Sequence, residues 1–236
     1  MIKLTNLLLE IISKPKAIIM AGGASVGKST ILNSIESSLK GFENLNVDKY
    51  VEDKNSPIYG NLSAAYSQIK KQDLPNAIIS KKNIIYDTTA SNLNTLTPII
   101  NELKDNGYDV MMIMVYAHPI ISFLRNYKRE RKVPAVGVLG TWVNVYNLIE
   151  DYKNIFGDKF ILVNSPASTP EEFKEIENFE KAYNAGDLKK YFDELLSTGE
   201  FQSTFRKDDD NLSPEEKAKK RKAKSQNKRN VRAKYR

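Results

Sequence analysis

The sequence predicts an α/β fold in which helices cover both faces of a five-stranded, mainly parallel sheet. Short apolar runs alternate along the chain with longer segments of helical periodicity, which is the order expected of βαβ units. The most continuous apolar run, residues 108–116, is interrupted only by Asp109 and does not alternate, as in a strand buried on both faces of the sheet. Three of the runs end at glycine or aspartate, which suits strands that end at a ligand-binding edge.

In chain order, the strands are predicted at 16–20, 44–47, 83–86, 108–116 and 159–163. Apolar residues at helical spacing predict the intervening helices at 28–39, 60–71, 96–105, 118–128 and 136–156. Two further helices, 170–185 and 187–196, are expected after the last strand. We therefore divide the chain into an N-terminal helix (1–14), the main domain (15–165), a C-terminal helical extension (166–198) and a flexible linker with a basic tail (199–236).

The composition limits the class of protein. A chain of 236 residues, 41% of them hydrophobic, can bury a substantial core without cross-links. It contains no cysteine, which excludes disulfides, thiolate catalysis and cysteine-bound metals. No apolar run reaches the roughly 18 residues of a membrane span, and the first residues lack the features of a secretory signal. We expect no membrane partner and a cytoplasmic protein, in the host cytoplasm if a phage encodes it.

The net charge of +7 is concentrated at the C-terminus. Residues 217–236 hold 11 of the 36 Lys and Arg residues and no Asp or Glu, which leaves the rest of the chain with 25 basic and 29 acidic residues. A basic arm on a mildly acidic body is typical of proteins that bind polyanions, so nucleic acid is a predicted partner of this tail.

The first strand is followed by a complete G-x-x-x-x-G-K-S motif and then by a helix, which together predict a P-loop NTPase-type three-layer sandwich. Backbone N–H groups can surround a triphosphate only where glycine permits the required conformation. The lysine should reach the β- and γ-phosphates, and the serine hydroxyl should ligate Mg²⁺. The alternative is a glycine-rich turn that binds nothing. The predicted binding residues for ATP or GTP are Gly22, Gly23, Ala24, Ser25, Val26, Gly27, Lys28, Ser29 and Thr30.

Two aspartates follow predicted strands. Asp48 comes after the second strand, where a carboxylate can face the γ-phosphate and act as a general base. Asp87 comes after the third strand, in the position of the Mg²⁺-side carboxylate of P-loop enzymes. The alternatives are an N-cap or loop acid for Asp48 and a turn acid for Asp87.

Five cations lie within residues 125–134, after the fourth strand and its helix. Arg125 and Arg129 are four residues apart and are expected to share a helix face. Such a segment could close over the triphosphate and neutralise the charge of the transferring phosphoryl group. The alternative is a solvated charged face. His118, the only histidine, precedes Pro119 and is expected to cap a helix.

The chain resembles the P-loop kinases that include the bacteriophage polynucleotide 5′-kinase and the zeta toxins. The resemblance covers roughly residues 16–163 and rests on the P-loop, on residues 46–50 (NVDKY) and on 85–89 (IYDTT). It also rests on residues 125–134, which begin R-N-x-K-R and end V-P, followed by V-L at 138–139. It implies that Asp48 is the general base and that Asp87 belongs to a strand-end D-T motif. It also implies that Arg125 and Arg129 belong to a lid and bind the nucleotide phosphates.

The sequence differs from these kinases in three features. Val51 stands where polynucleotide kinases have an arginine that grips the substrate phosphate. No phosphatase signature of the phage enzyme is present, and the zeta toxins have a different acid after the third strand. The guanine-reading N/T-K-x-D motif of GTPases is absent as well, which favours a kinase over a GTPase.

Three functions stay open at this point. The first is phosphorylation of the 5′-hydroxyl of RNA or DNA, which the basic tail favours. The second is a small-molecule kinase of zeta-toxin type that acts on a nucleotide sugar. The third is a nucleic-acid-binding NTPase without kinase activity. The sequence contains no indication of the oligomeric state.

Overall fold

The computed structural model describes residues 14–129 and 131–197. The expected N-terminal helix and the linker and basic tail therefore lie outside the described residues, apart from Lys14. Within the described ranges, the chain alternates strands and helices as the sequence predicts. No helix in these ranges has the length and apolar character needed to cross a bilayer.

Five strands form one sheet in the order β2-β3-β1-β4-β5, and every neighbouring pair is parallel. The strands are β1 (Lys16–Ala21), β2 (Phe42–Leu45), β3 (Asn83–Asp87), β4 (Asp109–Tyr116) and β5 (Phe160–Asn164). In the centre, β1 and β4 pair from Lys16 opposite Asp109 to Ala21 opposite Met114. The predicted five-stranded, mainly parallel sheet is confirmed.

Helices connect the strands and continue beyond them. They are α1 (Lys28–Ser34), α2 (Asp48–Val51), α3 (Leu62–Gln68), α4 (Leu74–Ile79), α5 (Leu93–Asp105), α6 (Pro119–Lys128), α7 (Ala135–Asn147), α8 (Ile149–Phe156), α9 (Pro170–Ala185) and α10 (Leu188–Ser197). Short 3₁₀ turns occur at Glu36–Leu39 and Gly157–Lys159, and a π-helical turn occurs at Ile69–Asp73.

Alternate side chains of β1 enter two cores on opposite faces of the sheet. Ile18 and Met20 pack with residues of α1 and α6. Ala17, Ile19 and Ala21 pack with residues of α4, α5 and α8. This two-sided burial explains why β1 and β4 are apolar at successive positions after their first residues, Lys16 and Asp109.

Three predicted helices are interrupted in the structure. The helix expected at 28–39 ends at Ser34, because Ile35 leaves the helical region and the chain continues as a 3₁₀ turn. The helix expected at 60–71 passes through the π turn into α4, in whose first turn Pro75 lies. The helix expected at 136–156 is two helices that meet at Leu148, where ψ is 2°.

The second strand is also shifted relative to its prediction. It covers Phe42–Leu45 instead of 44–47, so Asp48 does not end a strand but begins α2. In the extension, α9 matches its predicted range of 170–185, and α10 is displaced by one residue from 187–196.

Candidate active site

The phosphate-binding loop connects β1 to α1. Gly22 and Gly27 have φ values of +142° and +100°, which residues with a Cβ rarely adopt. A Cβ on Gly22 would lie 2.6 Å from the carbonyl oxygen of Val115, and one on Gly27 would lie 2.9 Å from the hydroxyl oxygen of Ser165. Both glycines are therefore required by the close approach of β4 and of the segment after β5.

Lys28 begins α1 and turns its amine back over the loop. Its Nζ donates to the carbonyl oxygens of Gly22 at 3.0 Å and Gly23 at 3.4 Å, and it lies 3.8 Å from Oδ1 of Asp87. The amine thus sits between the loop and the carboxyl end of β3. A cation in this position can meet the anionic end of a nucleotide.

Asp87 ends β3, as predicted, and its side chain is 9% exposed. Burial and, to a smaller extent, the negative charge of the neighbouring Asp48 raise the pKa of this carboxyl group, whereas the positive charge of Lys28 lowers it. The net shift is upward. The positive charge of Lys28 is therefore the main feature that favours the ionised form.

Asn46 connects the two aspartates. Its Nδ2 donates to Oδ2 of Asp87 at 3.0 Å, and its Oδ1 accepts from the backbone N of Asp48 at 2.8 Å. Since one amide side chain binds both residues, the end of β3 and the start of α2 are held in a fixed relation. Asn46 belongs to the N-V-D-K-Y pattern at 46–50, but nothing in the sequence alone indicates this bridging contact.

The short helix α2, which carries Asp48, is also held from the opposite side by Asp73. The hydroxyl of Tyr50 donates to Oδ2 of Asp73 at 2.7 Å, and Nζ of Lys49 lies 3.3 Å from the same oxygen. Gln68 donates to the other oxygen at 3.2 Å. Burial raises the pKa of Asp73, but these hydrogen bonds and the charge of Lys49 hold it below its ordinary value.

Arg129 and Arg131, which we call the lid arginines, lie over α2. Nη2 of Arg131 is 2.5 Å from Oδ1 of Asp48, and Nε of Arg131 is 3.1 Å from Glu52. Arg129 is 3.6 Å from Asp48 and 3.5 Å from Glu52. The lid arginines therefore neutralise the carboxylates of Asp48 and Glu52, at the two ends of α2. Arg131 was part of the predicted basic cluster but was not among the predicted site residues.

Asn126 closes the connection between α6 and α7 that carries the lid arginines. This fully buried side chain donates to the carbonyl oxygen of Val133 at 2.8 Å and accepts from its backbone N at 2.9 Å. The hydroxyl of Ser25 in the phosphate-binding loop lies 3.5 Å from its Oδ1. In the sequence, Asn126 is visible only as the second residue of the R-N-x-K-R pattern, which does not indicate this contact.

The structure separates Arg125 from the lid arginines. Helix α6 ends at Lys128, and Arg129 has an extended backbone, so the expectation that Arg125 and Arg129 share a helix face is wrong. The guanidinium of Arg125 instead binds Glu172, Ser165 and the carbonyl oxygen of Pro166. It still lines the cleft, from the side of the phosphate-binding loop.

These residues surround a cleft of about 560 Å³ at the carboxyl ends of the strands. Of the predicted site residues, it brings together Ala24, Ser25, Val26, Gly27, Lys28, Ser29, Thr30, Asp48, Asp87, Arg125 and Arg129. Gly22 and Gly23 contribute the carbonyl oxygens that hold Lys28. Tyr66, which is not among the predicted site residues, also forms part of the wall.

A second cavity, of about 370 Å³, adjoins the cleft. Tyr66, Thr88 and Thr89 line both spaces. The remaining wall of the cavity comes from Lys70, from Tyr86 of β3, and from the loop after β3 and α5, including Ser91 and Thr95. Within this loop Ala90 has a φ of +53°, and its carbonyl oxygen accepts a hydrogen bond of 2.9 Å from the buried hydroxyl of Tyr152.

Helix α7 packs against the phosphate-binding loop from the other side. The backbone of Trp142 lies 3.5 Å from the point that a Cβ on Gly23 would occupy, and the indole N–H donates to the carbonyl oxygen of Ala117 at 2.8 Å. The indole stacks on Tyr146 with ring centroids 5.3 Å apart. Thr141 accepts from the backbone N of Ala24 at 3.4 Å.

His118 caps α6 as expected. Its Nδ1 accepts from the backbone N of Ile120 at 3.3 Å, and its ring meets Phe179 edge-on with centroids 5.2 Å apart. Burial lowers the pKa of this imidazole. The histidine does not line the cleft described above, so it has a structural role.

The model of the Zeta toxin family matches residues 5–154. That range contains the phosphate-binding loop, both aspartates and the lid arginines. It ends before β5 and the C-terminal extension. No curated protein matches the sequence significantly.

Solved structures share the fold. The native AvrRxo1-ORF1:-ORF2 complex gives a TM-score of 0.56 at 16% identity, over 68% of this chain and 58% of that chain. The same complex with ATP gives 0.54 at 16% identity, over 68% and 57%. The PezAT toxin–antitoxin system of Streptococcus pneumoniae gives 0.53 at 14% identity, over 78% and 93%. The chain thus spans less than two thirds of the AvrRxo1 chain, and these likenesses concern the fold.

Proposed function

This chain belongs to the zeta toxin family, and from that premise we propose that it transfers the γ-phosphate of ATP or GTP to a hydroxyl group. The observation that carries the proposal is the meeting of Lys28, Asp48 and Asp87 in one cleft beside the phosphate-binding loop. A lysine for the phosphates and a carboxylate that faces the same space are the groups that phosphoryl transfer needs.

In this proposal the backbone N–H groups of residues 22–29 hold the α- and β-phosphates, and Lys28 binds the β- and γ-phosphates. Lys28 is well placed because its amine already lies against the loop carbonyls and 3.8 Å from Asp87. Exchanging a loop carbonyl for a phosphate oxygen requires only a small movement of a flexible side chain.

Asp48 acts as the general base. It accepts the proton of the acceptor hydroxyl while that oxygen forms a bond to the γ-phosphorus. The bond between the γ-phosphorus and the bridging oxygen breaks, and the nucleoside diphosphate leaves. The lid arginines now on Asp48 would be drawn to the more highly charged triphosphate. This exchange would free the carboxylate for proton transfer and place positive charge on the transferring group.

The residues present fit a Mg²⁺ ion that binds together with the nucleotide. Ser29 and Asp87 line the same cleft, and one or two protein oxygens plus phosphate oxygens are the usual ligands of Mg²⁺ in kinases. Among the described residues, no group of three acidic or histidine side chains could hold a metal without phosphates. The bound ion would neutralise charge on the phosphate oxygens.

Two acceptor classes remain, each with its own supporting observation. A 5′-hydroxyl of RNA or DNA is favoured by the basic residues 217–236, which lie outside the described residues. A nucleotide sugar or another small molecule is favoured by the second cavity, because it adjoins the cleft beside Tyr66 and can enclose a compact ligand. Val51, in place of the substrate-gripping arginine of polynucleotide kinases, agrees better with the second class.

Labelled ATP tests the proposal when it is offered with 5′-hydroxyl oligonucleotides and nucleotide sugars in parallel. We expect label in one acceptor class with the wild-type chain and none with Lys28→Ala, because that variant lacks the cation for the phosphates. Nucleotide binding with no transfer to any acceptor would favour the third alternative, a nucleic-acid-binding NTPase without kinase activity. Equal transfer by Lys28→Ala would contradict the mechanism.

A further inference from the structure

Glu172 is a buried carboxylate in the C-terminal extension. It lies in the first turn of α9 and is 4% exposed. Its position is outside residues 5–154, which the family model matches. A charged side chain is rarely buried this fully unless it has a specific partner.

Both oxygens of Glu172 have partners. Nε of Arg125 donates to Oε1 at 2.8 Å, and Nη2 of Arg125 lies 3.3 Å from Oε2. The backbone N and the hydroxyl of Ser168 donate to Oε2 at 2.7 Å and 3.1 Å. Burial raises the pKa of Glu172, but the hydrogen bonds from Arg125 and Ser168 lower it by more. The pKa is therefore below its ordinary value, and the carboxyl group is held ionised.

Arg125 continues this network to the phosphate-binding loop. Its Nη1 donates to the hydroxyl of Ser165 at 2.7 Å and lies 3.4 Å from the carbonyl oxygen of Val26. Nη1 is also 3.4 Å from the point that a Cβ on Gly27 would occupy. Glu172 therefore fixes the guanidinium that supports the last residues of the loop before Lys28.

The stability of the fold does not by itself explain this arrangement. A buried ion pair costs about as much in desolvation as it gains in attraction, and apolar side chains could hold α9 on α6 equally well. Aromatic residues already connect these helices nearby, since Phe192 of α10 meets Phe123 of α6 and Phe179 of α9, in each case with ring centroids 6.2 Å apart. The ion pair instead lies beside the phosphate-binding loop, where Arg125 can fix the conformation of residues 26–27.

We propose that the C-terminal extension is a working part of the nucleotide site, with Glu172 as the positioning residue that acts through Arg125 on residues 26–27. The inference rests on the proposed function only for the identity of the ligand, a nucleoside triphosphate. Loss of the carboxylate would leave Arg125 without its fixed orientation. The backbone N–H groups of the loop would then be less well arranged for phosphate.

Calorimetric titration of the full chain with Mg²⁺ and a non-hydrolysable ATP analogue tests the proposal. We expect Glu172→Gln to bind the analogue about tenfold or more weakly, as for loss of a charged hydrogen bond. The matched control is Glu171→Gln, since the neighbouring Glu171 makes only an exposed ion pair with Lys128. The control should bind within about twofold of wild type, because exposed pairs contribute little.

Kinetics separate positioning from a general structural defect. Glu172→Gln should raise KM for ATP, while KM for the acceptor stays unchanged. A double variant tests whether Glu172 acts through Arg125: Arg125→Lys combined with Glu172→Gln should weaken binding of the analogue no more than Arg125→Lys alone. A folded Glu172→Gln variant that binds like wild type would overturn the proposal. If this variant does not fold, Ser165→Ala decides: weaker binding by about threefold or more supports the network, and unchanged binding overturns it.

The outcomes also distinguish this proposal from the proposed function. A wild-type chain that binds the analogue but transfers phosphate to no acceptor contradicts the kinase assignment and leaves the role of Glu172 intact. A wild-type chain that transfers phosphate, with Glu172→Gln unaltered in binding, contradicts only the role of Glu172.

Discussion

At the scale of single residues, the cleft combines one continuous motif with contacts between residues that lie far apart along the chain. The phosphate-binding loop is a continuous motif, so its residues could be named before the structure was known. Asp87 could be placed as well, because an apolar strand leads directly to it. Arg131 and Glu172 could not, since their partners Asp48 and Arg125 are 83 and 47 residues away along the chain.

Asp48→Asn tests the proposed general base. The amide keeps the size of the side chain but cannot accept the proton, so we expect phosphoryl transfer to fall by about 10²-fold or more. Nucleotide binding should be retained, because the loop and Lys28 are unchanged. Single-turnover transfer and calorimetric nucleotide binding measure the two effects separately.

Asp53→Asn is the matched control for that substitution. Asp53 lies just beyond α2, is exposed, and its carboxylate accepts from the backbone N of Asn55. It does not line the cleft. Transfer by this variant should stay close to wild type, and a transfer rate of Asp48→Asn near the wild-type rate would remove Asp48 from the mechanism.

At the scale of helices and strands, the presence of a strand or helix was easier to predict than the breaks within a helix. All five strands were predicted from apolar runs, because burial on both faces leaves a strong signal. The break at Leu148 was not predicted, since helical periodicity continues through it. The helix predicted at 60–71 ends inside the π turn at Ile69–Asp73, and α4 beyond that turn was not predicted. The π turn brings Asp73 to Tyr50 and Lys49, a long-range contact that local periodicity cannot indicate.

Tyr152 of α8 anchors the loop after β3, and Tyr152→Phe tests that anchor. The variant loses the hydrogen bond to Ala90, so we expect the free energy of unfolding at neutral pH to fall by about 1 kcal/mol. Denaturant titration measures this change. Tyr183→Phe is the control, because Tyr183 is 64% exposed.

The same tyrosine should make stability depend on alkaline pH. Burial raises the pKa of Tyr152 from 10 to about 12, so folding favours the protonated phenol. The stabilisation is complete below pH 10 and is lost as the pH rises toward 12. The stability difference between wild type and Tyr152→Phe should therefore shrink over this window. A constant difference from pH 9 to 12 would contradict the assignment.

At the scale of the whole molecule, the order of the strands decides where the site forms. The chain runs from β1 to β2 and β3 on one side and then crosses to β4 on the other. The phosphate-binding loop follows the strand at which this direction reverses, which is where open α/β sheets bind ligands. Alternation of strands and helices predicted the class of fold, but the strand order required the structure.

The positive charge of the chain is concentrated in residues 217–236, whereas the rest of the chain is mildly acidic. Deletion of residues 217–236 tests the role of this basic tail. If nucleic acid is the acceptor, the shortened chain should bind a 5′-hydroxyl oligonucleotide about tenfold or more weakly at low salt and with a smaller salt dependence. ATP affinity should not change, and it serves as the internal control. Binding titrations at several salt concentrations measure the slope, and an unaltered slope would exclude the tail from nucleic-acid binding.

The position of Trp142 gives the molecule its own optical reporter. It is the only tryptophan in the chain, and its backbone lies against Gly23 in the loop that would receive the triphosphate. Intrinsic fluorescence excited at the indole should therefore change in a saturable way as ATP is added, without any label. Trp142→Phe should give no such signal. Unchanged emission during a titration in which calorimetry detects binding would show that α7 does not respond to the occupied loop.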